Sequence, residues 1–176
     1  MTLILDTDAT RTAPPTPRRR VLVSAVIAQL MVVLDMTIIA IALPDMQADL
    51  AMTPAQQPWA GTAYTLAFGG LVLFGGRVVQ ALGLRACYAI ALSGFALASL
   101  AGGLAPSFAV LVTARAVQGA FAALLAPTVL ALVSSTFPDH RARARAFSVL
   151  GATGGLGAAA LPYLAASGVG KLIIAD

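Results

Sequence analysis

Two ionisable residues stand inside apolar sequence: Asp35 in Leu34-Asp35-Met36-Thr37-Ile38-Ile39, and Arg115 in Ala114-Arg115-Ala116-Val117-Gln118-Gly119. In so apolar a setting each charge costs several kcal/mol unless it faces water, protein or an opposite charge. The chemistry open to such a pair is protonic. The two charges hold each other in the ionised form, and a proton or a bound molecule that reaches the carboxylate changes the pairing. The plainer reading is a static clamp between two helices. Gln118 and Gly119 share the helical face of Arg115 at spacings of three and four. Gln118 can hydrogen-bond the guanidinium or a bound molecule, and Gly119 leaves room for a close neighbour.

Membrane-spanning helices are needed to position these residues, and the composition predicts them. The chain is 59% hydrophobic and 10% charged, against roughly 25% charged residues in an ordinary soluble domain. About 20 apolar residues cross a hydrocarbon core as a helix, and strands without partners would leave backbone groups unpaired in lipid. Five segments qualify: 21–43, 59–79, 85–104, 108–133 and 147–169. Pro44 is expected to close the first, Pro58 to open the second, Pro106 to mark the turn between the third and fourth, and Pro138 to follow the fourth. The short connections predict that consecutive spans are antiparallel neighbours. The expected fold class is therefore an all-α membrane protein. Its organisation is a disordered cytoplasmic tail over 1–20, a transmembrane domain over 21–170 and a short extracytoplasmic tail over 171–176.

With the amino terminus cytoplasmic, the inner side receives Arg11, Arg18, Arg19, Arg20, Arg77, Arg85, Arg141, Arg143 and Arg145, and the outer side only Lys171. That bias sets the expected orientation in the cell membrane, with Trp59 at the outer interface. Asp35 lies eight residues before Leu43 and Arg115 seven residues after Phe108, hence roughly 12 Å and roughly 10 Å below the same outer surface at 1.5 Å per residue. Similar depth makes each the expected partner of the other.

The remaining signals exclude more than they add. A pI near 10.0 suggests nucleic acid, but the basic residues sit between apolar runs rather than on a solvated face, so no nucleic acid is expected. Cys87 is the only cysteine and reads as packing, leaving no disulfide, metal site or cofactor to expect. Arg18 to Arg20 before an apolar run, with Ala40-Ile41-Ala42 after it, resemble a cleaved signal peptide, but the run has span length and further spans follow. His140 lies in a loop beside arginines, and Ser134 and Ser135 lack a matching His and Asp arrangement. An enzyme is not expected. Gly151-Ala152-Thr153-Gly154-Gly155 lacks the strand and the Lys-Ser or Lys-Thr of a phosphate-binding loop. Gly151, Gly155 and Ala159 instead form a stripe of small residues expected to let another helix approach closely.

Three local patterns, in order, resemble the major facilitator superfamily and most closely its drug:proton antiporter branch with fourteen spans. Leu34-Asp35-Met36-Thr37-Ile38-Ile39-Ala40-Ile41-Ala42-Leu43-Pro44 looks like that branch's first-span signature, L-D-x-T through to A-L-P. Trp59-Ala60-Gly61-Thr62-Ala63-Tyr64-Thr65-Leu66 is similar to its W-x-x-T-A-Y-x-L pattern, and Arg115-Ala116-Val117-Gln118-Gly119 to the R-x-x-Q-G pattern that the family associates with proton coupling. The resemblance covers about 21–160. It departs in places: Ala40 replaces the usual Asn, and Gly76-Arg77-Val78-Val79-Gln80-Ala81-Leu82-Gly83-Leu84-Arg85 carries Gln80 where the family's cytoplasmic loop has an acidic residue. Pro162 also lacks its preceding Gly.

The resemblance implies a truncated amino-terminal six-helix bundle whose function is export of small organic compounds or antibiotics in exchange for protons. Asp35, Arg115, Gln118 and Tyr64 would be its proton-coupling or cavity residues, and Arg77, Gln80, Gly83 and Arg85 its cytoplasmic loop. Gly119, Gly151, Gly155 and Ala159 would pack helices. Alternating access needs two bundles around a midplane site, so five spans are expected to be a fragment or a truncated product. The alternative is a non-transporting membrane protein or a subunit that needs a partner bundle. The implied partners are the lipid bilayer, protons and a small organic substrate, with the remainder of the transporter or another bundle completing the assembly.

Overall fold

A computed structural model describes the backbone of residues 17–166 and the side chains of 18–155. Of the expected disordered tail over 1–20, residues 1–16 lie outside the described residues, as do the side chain of Ala159, Pro162 as a contact and the segment 167–176, whereas 17–20 are helical and correct that expectation. Five helices follow in chain order: α1 (Pro17–Asp49), α2 (Trp59–Leu82), α3 (Leu84–Gly103), α4 (Phe108–Thr136) and α5 (His140–Ala166). Among the described residues, four of them (α1 to α4) are long and apolar enough to cross a membrane. The expected fifth span, 147–169, coincides with α5 as far as α5 is described.

Two prolines behave otherwise than the sequence predicts or leaves unsaid. Pro44 does not close α1, which runs on to Asp49. Proline removes one helical N–H and crowds the carbonyl four residues back. Ala40 and Pro44 are both exposed, so that carbonyl can find another partner and the helix continues. Pro127 stands inside α4 and frees the carbonyl of Ala123 in the same way. Gly75 of α2 presses against that carbonyl so closely that an added Cβ would lie 2.5 Å from it. Gly75 offers the freed oxygen only hydrogens, the kind of weak Cα–H contact that recurs where helices cross.

Packing does not follow chain order. α4 is the central helix, with its largest contacts on α2 and α3, and α1 packs chiefly on α5. Of the consecutive pairs only α3 and α4 pack extensively, which corrects the expectation that each span lies beside the next. Close approach explains the difference, because without water to drive apolar association in lipid, helices associate where small residues let backbones meet. Gly119 meets the Tyr64 backbone and Gly75 meets Ala123, so α2 and α4 run in the same direction; Gly94 meets the Phe121 ring from α3. α2 and α3 are joined by Gly83 alone, at φ 82 and ψ 156, a conformation open to glycine and strained for other residues. Apolar side chains such as Leu66, Leu73, Phe74 and Leu97 stay exposed, as lipid-facing residues do.

The close contacts differ in what must yield. A Cβ at Gly119 would lie 2.3 Å from the Tyr64 carbonyl oxygen, whereas at Gly94 it would meet only the Phe121 ring, and at Gly69 nothing within 4 Å. Gly119→Ala is expected to destabilise the folded chain in detergent by about 1–3 kcal/mol, the range for overpacking. Gly94→Ala should cost less and Gly69→Ala nothing, as read from thermal midpoints by circular dichroism.

Candidate functional site

The middle of the bundle holds a closed ring of polar contacts. Arg115 Nη1 donates to Asp35 Oδ2 at 2.6 Å and to Gln118 Oε1 at 2.6 Å, and Gln118 Nε2 donates back to Asp35 Oδ1 at 2.6 Å. Arg115 and Gln118 are each 1% exposed and Asp35 9%. Among the described residues this is the only ion pair. The spacing of three between Arg115 and Gln118 puts both on one face of α4, and equal depth brings Asp35 of α1 to them.

Three further groups, which sequence reasoning missed, complete the guanidinium's surroundings and the carboxylate's. Arg115 Nε donates to the main-chain carbonyl of Ala60 at 3.0 Å, and Arg115 Nη2 lies 3.9 Å from the Met36 sulfur. Ser99 Oγ, from α3, donates to Asp35 Oδ1 at 3.2 Å. A carbonyl acceptor leaves no trace in side-chain sequence, and a serine in a span is too common to single out. The only signals available were the position of Ala60 one residue after the Trp59 that begins α2, and a hydroxyl in the C-terminal half of α3.

Tyr64 closes the face toward the C-terminal end of α2. The Arg115 guanidinium carbon lies 4.7 Å from the centre of the Tyr64 ring, a cation–π distance, and the ring stacks on Phe68 with centroids 6.2 Å apart. Gly119 permits this because the α2 backbone at Tyr64 occupies the space a side chain would need. On the side of the α1–α2 connection Met52, Ala60 and Leu111 form a small buried cluster. Met52 reaches it from the connection between α1 and α2, where Ala51 adopts φ 47, a strained conformation for a residue with a Cβ. A side-chain bond from Gln57 to Gln47 ties the same connection to α1.

A cleft of about 710 Å³ opens beside the ring, with walls from α1, α2, α4 and α5. Met36 and Tyr64 belong both to the charge site and to this cleft, which is otherwise mostly apolar, with Ala126, Val129, Phe147 and Leu150 among its walls. Gly151 and Gly155 also line it, and a Cβ added at either meets nothing within 4 Å. Within the described residues these two glycines therefore widen a cleft and do not seat a helix; packing on α1 uses Gly154, against Gln29, instead. Their absent side chains leave open volume that the spacing rule reads as contact.

The other expected site residues stand apart from the ring. Arg77, Gln80, Gly83 and Arg85 are exposed at the junction of α2 and α3, and no ion pair joins them among the described residues. Gln80 cannot supply the anion that Arg77 or Arg85 would need. Cys87 is buried, with its thiol directed at the Val78 carbonyl at 3.5 Å.

Residues 25–172 match the Major Facilitator Superfamily. The chain is 53% identical over 146 residues to a puromycin resistance protein of Streptomyces alboniger, covering 82% of this chain and 29% of that protein. It is 43% identical over 139 residues to a cephamycin export protein of Amycolatopsis lactamdurans, covering 79% of this chain and 29% of that protein. A multidrug resistance protein of Mycobacterium tuberculosis is 39% identical over 134 residues, or 76% of this chain and 25% of that protein. The chain thus spans less than a third of the length of these relatives. With apolar helices of spanning length, a family match over most of its residues and a buried charge ring at the expected positions, the chain is a multi-pass membrane protein and belongs to the major facilitator superfamily.

Proposed function

We propose that the chain contributes the proton-coupling wall of an exporter for small organic compounds such as antibiotics, in the cell membrane and with its amino terminus cytoplasmic. One observation carries this reading: a carboxylate, a guanidinium and an amide closed on one another at 2.6 Å beside an apolar cleft. When Asp35 is ionised, the ring is complete. A proton on Asp35 removes the anion that holds Arg115, and removing one partner of a buried pair costs about 3–5 kcal/mol. That is enough to make the protonated and ionised states prefer different helix arrangements. The apolar cleft suits an organic substrate, and Met36 and Tyr64 give substrate and proton a shared wall. The puromycin and cephamycin relatives carry the substrate class to this chain by analogy.

Residues 21–170 form part of a facilitator transmembrane domain in this proposal, and the remainder of a transporter or another bundle faces the cleft. Residues 1–20 are then cytoplasmic and 171–176 extracytoplasmic. Arg77 and Arg85 anchor the inner face by charge alone.

A chimera tests the reading, with this chain in place of the matching 146 residues of the puromycin resistance protein. It is expected to export puromycin from energised membrane vesicles and to stop when the proton gradient is collapsed. Arg115→Ala and Asp35→Asn should each lower that export at least tenfold while membrane insertion is retained. Export that is unchanged in both variants rejects proton coupling at this pair.

The glycines in the cleft give a separate test. Gly151→Leu has open space before it, so the chimera should keep its thermal midpoint while KM for puromycin rises several-fold. A fall in stability with unchanged KM would return Gly151 to a packing role.

A further inference from the structure

Hydroxyls in these spans usually turn back on their own helix. Thr37, Ser93, Thr113 and Thr128 donate to the carbonyl four residues earlier, at 2.9, 2.7, 2.8 and 2.6 Å, the common habit of Ser and Thr in helices. Ser99 does not. Its Oγ crosses from α3 to Asp35 Oδ1 on α1 at 3.2 Å. It stands half-buried on a groove of about 550 Å³ with Met31, Ala96 and Leu104, which shares no lining residue with the central cleft.

The other partners of Asp35 can only donate. Arg115 has no acceptor, Gln118 presents its Nε2 to Oδ1, and Gln118 Oε1 already accepts from Arg115. A proton delivered to Oδ1 by hydronium, which leaves as water, turns that oxygen into a donor facing donors. A flip of the Gln118 amide would set its NH2 against the Arg115 guanidinium, so serine alone among these partners can exchange roles without opposing two donors. Its oxygen can accept the new O–H while its own hydrogen turns to the Phe95 carbonyl, four residues back, as that of Ser93 does to Ala89. The charged or titratable groups around the carboxylate are Arg115 on α4 and, over the guanidinium, Tyr64 on α2. From α3 it meets only the neutral Ser99.

We propose that Ser99 is a positioning residue that lets Asp35 change protonation state inside the buried ring, donating to the carboxylate and accepting from the carboxylic acid. This rests on the proton-coupling reading for its consequence in transport, but the switch itself is a property of the isolated chain. An orphaned buried donor lowers the population of the state that holds it by roughly tenfold. Without the hydroxyl, the carboxylate keeps Arg115 and Gln118, whereas the protonated acid has no acceptor.

The test is labelling of the full chain in detergent by dicyclohexylcarbodiimide, which reacts with protonated carboxyls, with modification at Asp35 located by peptide mass spectrometry. Ser99→Ala is expected to label Asp35 about tenfold more slowly than the unaltered chain, and Ser99→Thr within twofold of it. Ser99→Val against Ser99→Thr repeats the comparison at matched side-chain shape, so a loss of folding in the alanine variant does not remove the test. A donor-only role predicts the opposite, since losing a donor to the anion would favour the acid. Equal or faster labelling without the hydroxyl therefore overturns the proposal. The coupling reading fails separately, if Asp35→Asn leaves proton-driven export by the chimera intact.

Discussion

The bundle is organised around one constraint: a guanidinium 1% exposed in a helix that runs through the middle of a membrane protein. Such a group cannot be left with free donors, because neither hydrocarbon chains nor apolar side chains accept hydrogen bonds. Its three nitrogens draw on different elements. Nε goes to the start of α2, Nη1 to α1 and to its own helix, and Nη2 lies against the sulfur of Met36. Moving any of these helices by a few ångströms would strand part of the charge. Arg115 therefore fixes the relative heights of α1, α2 and α4 in a way that interchangeable apolar contacts cannot.

The helices can meet this demand only because small residues let them come close. Gly119 lies one turn from Arg115 and has the Tyr64 backbone against it, which brings the Ala60 carbonyl within reach of Nε and lays the Tyr64 ring over the guanidinium. A side chain at 119 would separate α2 from α4 and lengthen both contacts. The polar ring and the glycine contact thus form one structural unit, and the pairing of α2 with α4 rather than with α3 follows from it. Further along the same pair, Pro127 and Gly75 act together: the proline frees a carbonyl, and the glycine meets it.

Much of this was legible in the sequence, and the parts that were not have physical reasons. Charge cost and helical rise alone paired Asp35 with Arg115, since depth along a spanning helix is a nearly linear function of sequence. Periodicity added Gln118 and Gly119. Lateral arrangement has no such linear rule, so the centrality of α4 and the packing of α1 on α5 could not be read from loop lengths. Pro44 misled because a helix-stopping rule from water was applied where the helix has an exposed end. Gly151 and Gly155 face open space among the described residues, because glycine spacing measures how close a neighbour could come and not which helix does. Ser99 and the Ala60 carbonyl were invisible because their roles depend on distances between helices.

The two sides of the ring are unequal, and that inequality gives the site a direction. Toward the connection between α1 and α2 Arg115 is covered by the buried cluster of Met52, Ala60 and Leu111, with Met52 adjoining the strained turn at Ala51. Toward the cleft it is separated by the Tyr64 ring and the Met36 side chain, both of which line the open volume. An aromatic face holds a cation by about 0.5–2 kcal/mol, far less than the buried carboxylate does. With Asp35 neutral, the remaining restraint on the guanidinium is weakest on the cleft side, where it meets the Tyr64 ring and the Met36 thioether. The face of the ring that borders the open cleft is therefore the less firmly held of the two.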